Sequence, residues 1–224
     1  MPIALFSTAP PLRQAWHQAW RHPAFRRLLA GALGGLLLLA ALIPRFFAWV
    51  QQRPGVRPPD AVLLHLPAYD VSGLTFAVIY AAIVLGLAVL LPRPRQLLRA
   101  LWGYLLLHGL RLVTLALVPW EAPPHLIVLH DPVVDRLFYA SATSITKDLF
   151  FSGHTATVLL LALAAPPGRV RKVLLLGTAL VASLVLVQHA HYSWDVLGAL
   201  LAAPLAWRLA GYVTNPARSE AAQP

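Results

Sequence analysis

Two short stretches gather residue types that apolar packing does not need. Residues 148 to 155 read DLFFSGHT and carry Asp148, Ser152, Gly153 and His154. Residues 188 to 198 read QHAHYSWDVLG and carry His189, His191, Tyr192 and Asp195. His191 and Asp195 are four apart, which puts them on one helical face, one turn from each other. A carboxylate so placed accepts the proton of one imidazole nitrogen and leaves the other free to act as nucleophile or base. His154 can give a proton to a leaving group and later take one from an acceptor. Both stretches open apolar segments, and a helix N-terminus offers an anion unpaired amides and the positive end of a dipole. Gly153 lets backbone approach a ligand closely, and Ser152 can cap or donate. A phosphoryl group suits such a place.

A further stripe lies upstream. Tyr104, His108 and Arg111 are spaced four and three, so they share a helical face. An arginine in mid-helix costs about 2.5 to 3.5 kcal/mol on insertion scales, so Arg111 is expected to point inward to a partner or a wet cavity. Its planar fork matches the non-transferred oxygens of a phosphate, and Lys147 is a second cation for that task. Asp148, His108, Tyr104, His189 and Tyr192 are expected around this core as supporting residues. Alternatives stay open at several positions. Arg111 can snorkel or pair with an acid such as Glu121, and Asp148 can simply cap the helix that follows it. Asp60, at the end of PPD, is loop punctuation or part of a site. Tyr104 and Trp194 read as interface aromatics. His17, His22, His65, His125 and His130 read as interfacial or packing residues. His189 and His191 could share a zinc ion with His154 and Asp195. No metal and no other cofactor is expected, however, because nucleophile, orienter and acid are already present.

The elements that must position these residues follow from hydropathy. Hydrophobic residues make up 58% of the 224, charged residues 12%, and mean hydropathy is +0.67. That leaves too little polar surface for a soluble globule. The net charge of +10 does not indicate nucleic acid, since the arginines sit in short clusters between apolar runs rather than on one face. The absence of cysteine removes disulfides and thiolate chemistry. Six segments approach the roughly 20 apolar residues that a spanning helix needs, at about 28 to 49, 72 to 91, 98 to 118, 149 to 165, 172 to 190 and 192 to 213. The expected fold is all-α and polytopic.

Arg13, Arg21, Arg26 and Arg27 precede the first span and place the N-terminus in the cytoplasm by the positive-inside rule. Arg93, Arg95 and Arg99, then Arg169, Arg171 and Lys172, then Arg208 and Arg218 fall on the same side. The acids Asp60, Asp70, Glu121, Asp131, Asp135, Asp148 and Asp195 fall in or beside the opposite loops, and only Glu220 joins the basic side. Both polar stretches therefore open spans four and six from the outer face. Three parts are expected: a basic cytoplasmic segment 1–27 with an interfacial helix bearing Trp16 and Trp20, a six-helix membrane catalytic domain 28–213, and a polar cytoplasmic tail 214–224. The first span shows no small-x-small cleavage site and reads as a retained helix. QQRPGVRPPD is a proline-rich outer loop.

The pattern Asp148-x-x-x-Ser152-Gly153-His154-Thr155, followed by His191-Tyr192-Ser193-x-Asp195-Val196, resembles the sphingomyelin synthase family. That family is similar to the wider lipid phosphate phosphatase, or type 2 phosphatidic acid phosphatase, superfamily. RPPD resembles the family's proline-aspartate motif, and Arg99 with His108-x-x-Arg111 resembles its arginine-tyrosine-arginine pattern. The resemblance implies a six-helix bundle of that superfamily and a triad in which His191 attacks phosphorus, Asp195 orients it and His154 protonates the leaving group. It also implies a phospholipid substrate and a lipid or water acceptor; with the charge distribution placing the site on the extracytoplasmic face, the expected location is a bacterial-type inner (plasma) membrane. Residues 183 to 188 read SLVLVQ, without the Ser-Arg pair of the plain phosphatases, and Lys147 and Lys172 are the only lysines. This favours a phosphotransferase over a phosphomonoesterase. Thr146 and Lys147 stand where the family has Cys-Gly, and Ala190 where animal members have glutamate. The alternatives are a hydrolase of the lipid phosphatase or phospholipase C type, and a non-catalytic lipid-binding or transport protein.

Overall fold

A computed structural model describes residues 11–131 and 145–215. The expected positions of Asp135, Arg218 and Glu220, and most of the polar tail, lie outside these residues. The described chain forms eight helices: α1 (Leu12–Trp20), α2 (Pro23–Gln52), α3 (Ala61–His65), α4 (Ser72–Leu90), α5 (Pro94–Leu117), α6 (Gly153–Ala164), α7 (Arg169–Val187) and α8 (Ser193–Thr214). Among the described residues there is no strand beyond a single bridge between Val56 and Trp120. The fold is all-α. Five helices, α2, α4, α5, α7 and α8, are long and apolar enough to cross a membrane, which suggests an integral membrane protein.

The boundaries follow local chemistry. Pro23 and Pro94 open α2 and α5 at the first turn, where a missing amide costs nothing. Asp60 accepts from the amides of Val62 and Leu63 and starts α3. Ser152 does the same for α6 through Thr155 N. At the end of α7, the amide of Ala190 donates to Val185 O and that of His189 to Leu186 O. This paired closure needs a left-handed residue after the cap, usually glycine. His189 occupies that place at φ 53°.

The interhelical links between α4 and α5, α6 and α7, and α7 and α8 are three to five residues long, so sequential helices run antiparallel. α6 is the axis of the bundle, packed by α4, α5, α7 and α8, whereas α2 leans mainly on α5. The buried face of α8 is built from Ala199, Ala202, Ala203, Ala206 and Ala210. Such small residues let helices approach closely in lipid, where packing replaces the hydrophobic effect. One end of the bundle gathers the acids Asp60, Asp70, Glu121, Asp131, Asp148 and Asp195, together with Arg53, Arg57 and Arg111. The opposite end holds the basic clusters, and there Trp16 of α1 donates to Leu91 O at 2.8 Å. That contact docks the expected interfacial helix under α4.

Two expectations shift. The first span begins at Pro23 rather than near residue 28, so Arg26 and Arg27 lie inside α2. The fourth is a helix of only 12 residues, about 18 Å at 1.5 Å per residue. Leu149, Phe150 and Phe151, apolar enough to count as helix in the sequence, are irregular backbone that leads into it.

Candidate active site

The acidic end of the bundle brings the two polar stretches together. Asp195, the third residue of α8, is fully buried and accepts three hydrogen bonds: from Phe150 N at 2.8 Å, Tyr192 N at 3.0 Å and His191 Nδ1 at 3.0 Å. Because both carboxylate oxygens already accept backbone amides, the geometry suits a proton on His191 Nδ1 and leaves Nε2 as the nitrogen turned away from Asp195. His191 is 2% exposed. Its ring centroid is 5.9 Å from that of His154, and the His154 ring meets Phe76 edge-on at 5.6 Å. His154 Nδ1 is buried and has no partner among the described residues. A second hydrogen bond locks the two stretches, from Ser152 N to Asp195 O at 2.9 Å.

Arg111 points inward from α5, as its cost in an apolar helix requires. Its Nε donates to Phe151 O at 3.1 Å and its Nη2 pairs with Asp148 Oδ1 at 2.5 Å. Asp148, not Glu121, is its acid. The guanidinium lies flat against Gly153: a Cβ there would stand 2.9 Å from Cζ and 3.0 Å from Nε. Glycine is thus required by the arginine's approach rather than by a special φ. The charge and hydrogen bond of Arg111 compensate the burial of the Asp148 carboxylate. Arg111, Asp148, His191 and Asp131 all act electrostatically on His154. The pair of imidazoles therefore sits in the field of one arginine and its carboxylate.

The remaining expected residues divide. His108 hydrogen-bonds Tyr104 O through Nδ1 at 3.1 Å, stacks on the Tyr104 ring at 4.1 Å, and lies within the fields of Arg111 and Asp148. Both border the site on α5. Lys147 is brought elsewhere: its Nζ donates to Glu121 Oε1 at 2.7 Å and to Arg53 O at 2.6 Å. The hydrogen bond from Lys147 holds the Glu121 carboxyl below its ordinary range despite partial burial. His189 turns its Nε2 to Leu66 O at 2.8 Å, and no metal-binding grouping of three such ligands occurs among the described residues. Tyr192 donates its hydroxyl to Glu121 O at 3.0 Å, and burial keeps that phenol protonated, pushed up to about 12. Arg99 lies at the opposite end, its guanidinium over the Trp207 ring at 3.8 Å. It ties α5 to α8 and does not join Arg111.

Two further residues tie the site together: Gln188, which the sequence did not announce, and Asp60, whose role it left open. Gln188 is fully buried; its Oε1 accepts from Val71 N, and its Nε2 donates to Ser72 Oγ at 2.6 Å and to Val128 O at 3.2 Å. It pins the end of α7, and so the turn that carries His191, to the start of α4. The signal was a lone amide closing an apolar run. Asp60 is the other, because its Oδ2 accepts from Ser193 N at 2.6 Å while Oδ1 caps α3. The proline-rich loop is thereby anchored to the first turn of α8.

Residues 147–212 match the family model described as PAP2 superfamily C-terminal. The matched segment contains both polar stretches and their connecting helices, α6 to α8. This supports the phosphatase superfamily. At that level the match favours an enzyme of the lipid phosphatase and phosphotransferase type, acting in a membrane. No curated protein and no solved structure matches the chain.

Proposed function

We propose that the protein is a membrane phosphotransferase of the sphingomyelin synthase-like type, which moves a phosphoryl or phospho-alcohol group between lipids. The observation that carries this reading is Asp195, buried and holding His191 by Nδ1 beside the ring of His154. His191 Nε2 attacks phosphorus, and the bond from phosphorus to the leaving oxygen breaks. His154 gives that oxygen its proton. The phosphorylated imidazole is cationic on its ring, and the Asp195 carboxylate balances it. In the second step His154 takes the proton of an acceptor hydroxyl, whose oxygen attacks phosphorus and releases His191. Arg111, fixed by Asp148 and Phe151 O, faces the non-transferred oxygens, with the first amides of α6 beside it. The reaction runs at the outer face, where the acids gather and the basic clusters do not.

The burial of His191 and Asp195 favours a lipid acceptor, since a shielded intermediate meets little water. The test is a purified sample given phospholipid labelled in its head group, with and without ceramide or diacylglycerol. Transfer predicts labelled lipid product that depends on the added acceptor and vanishes in His191→Ala. Release of label into water at an unchanged rate in both samples makes the protein a hydrolase. No turnover of any labelled lipid removes the enzymatic reading.

A further inference from the structure

The proline-rich loop, which the transfer chemistry does not use, walls a cleft of about 770 Å³, within the size range of small-ligand sites. Arg57, Asp60, His65, His125, His189 and Tyr192 line it, along with the apolar residues of α3. Its polar groups are unevenly committed. Asp60, its one carboxylate, accepts from Val62, Leu63 and Ser193 amides and is turned to backbone. Arg57 is exposed and uses only Nε, toward Ala122 O at 3.2 Å. Its terminal nitrogens have no partner among the described residues. His65 and His125 are exposed without a hydrogen bond among the described residues, and the His125 ring lies 6.1 Å from that of His189. The uncommitted groups facing the cleft are thus an arginine fork and imidazoles, a donor set that selects an anion.

The rim adds a second chemistry. Leu64, which lines the cleft, is 81% exposed, and Val56, Val62, Tyr69 and Trp194, within two residues of lining positions along the chain, are 68%, 50%, 61% and 49% exposed, a concentration of apolar and aromatic surface at the acidic end of the bundle. In a membrane protein such a rim belongs at the lipid interface. Trp194 is also fixed to the loop, donating from Nε1 to Pro59 O at 3.0 Å. A cleft with an uncommitted arginine fork beside an apolar surface at the interface fits an amphiphile whose head is anionic.

We propose that this cleft is a capture site for a phosphate-bearing lipid: Arg57 and the imidazoles hold the head group while the tails lie along the rim. It rests on the proposed function for the substrate class. Tyr192 connects the two sites, since it lines the cleft and gives its amide to Asp195. Captured lipid is held one residue from His191.

The test uses the full chain in detergent with His191→Ala, so that binding is read without turnover, by calorimetry with dioctanoyl phosphatidic acid, dioctanoylglycerol and inorganic phosphate. Phosphatidic acid binds at least tenfold more tightly than dioctanoylglycerol, and Arg57→Gln with His125→Ala weakens it at least tenfold. Both side chains are exposed, and an unchanged unfolding temperature confirms that the fold is kept. In the active chain the same pair raises KM for phosphatidic acid several-fold and leaves kcat unchanged. Absence of binding, binding indifferent to the pair, or a fall in kcat at constant KM overturns the capture site. Inorganic phosphate competing as well as the lipid overturns the lipid as occupant. Tight, pair-sensitive binding in a protein that turns over no lipid sinks the proposed function and leaves the cleft standing.

Discussion

Gly153→Ala isolates one contact in the candidate site. The backbone of Gly153 is ordinary right-handed helix, so alanine fits its conformation and is slightly favoured by helix propensity. The added methyl stands 2.9 Å from Arg111 Cζ and 3.0 Å from Nε. Ordinary contacts between such atoms begin near 3.5 Å, so the guanidinium must retreat by about 0.6 Å. Its hydrogen bond to Phe151 O, 3.1 Å long, then stretches to about 3.7 Å, beyond useful range. The ion pair with Asp148 must re-form at another angle. A charge-assisted hydrogen bond contributes about 1.5 to 3 kcal/mol, and a displacement approaching 1 Å at a positioning group costs up to ~10²-fold in rate. We therefore expect kcat/KM for the labelled phospholipid to fall by roughly 10- to 100-fold. The unfolding temperature in detergent should stay within a few degrees, because the helix gains while the arginine loses. Turnover within twofold of the parent at an unchanged unfolding temperature would show that the position of Arg111 does not matter to the reaction.

Asp195→Asn removes the charge that balances His191 and places an amide where three donors converge; activity should fall by on the order of 10⁴-fold, as when an orienting carboxylate is lost from a comparable triad, and a purified variant retaining a tenth of the parent rate would reduce Asp195 to a helix cap. Gln188→Leu strands Val71 N and Val128 O at about 1 to 3 kcal/mol for each group that water cannot reach, while Ser72 Oγ keeps His130 N, so a thermal scan should show a drop of several degrees, and an unchanged scan would mean the amide does not hold α7 to α4. For sidedness, the cysteine-free chain allows single labels: Pro124→Cys, exposed beside the site, should react with a membrane-impermeant thiol reagent in intact cells, while Pro167→Cys, exposed between α6 and α7, should not. The opposite pattern would place the chemistry on the cytoplasmic face.

The parts of this molecule that rest on short-range periodicity were legible in its residues. His191 and Asp195 do meet by hydrogen bond, but not on one helical face as their spacing predicts: His191 lies two residues before α8, and the tight turn through Tyr192 folds the His191 ring back onto Asp195 in the first turn. The inward turn of Arg111 followed from the cost of a charge in an apolar helix, without knowledge of its partner. The partner itself was not legible, because Asp148 and Glu121 both sit at the same end and only three-dimensional packing assigns one to Arg111 and the other to Lys147. Gln188 was missed for a related reason. Its four side-chain partners come from Asp70, Val71, Ser72 and Val128, and nothing in a linear run of SLVLVQ announces contacts more than fifty residues away.

The length of α6 shows why the fourth span was read too long and why the site sits where it does. A helix of about 18 Å cannot cross a hydrocarbon core of roughly 30 Å, so the chain must cover the remaining depth without helical hydrogen bonds. Irregular backbone at that depth is tolerated only where protein supplies the missing partners. Here the partners are the site residues themselves and their neighbours. Asp195 receives Phe150 N, Arg111 donates to Phe151 O, Thr114 Oγ1 donates to Phe150 O at 2.9 Å, and Gln51 Oε1 accepts from Thr146 N and Lys147 N. The carboxylate that holds His191 and the buried arginine beside it are thus also what allows the segment before α6 to stay unwound. The short helix sets His154 at its first turn, beside the buried ring of His191. Hydropathy alone reads Leu149, Phe150 and Phe151 as more helix, because it records how apolar a residue is and not which carbonyl another side chain has claimed.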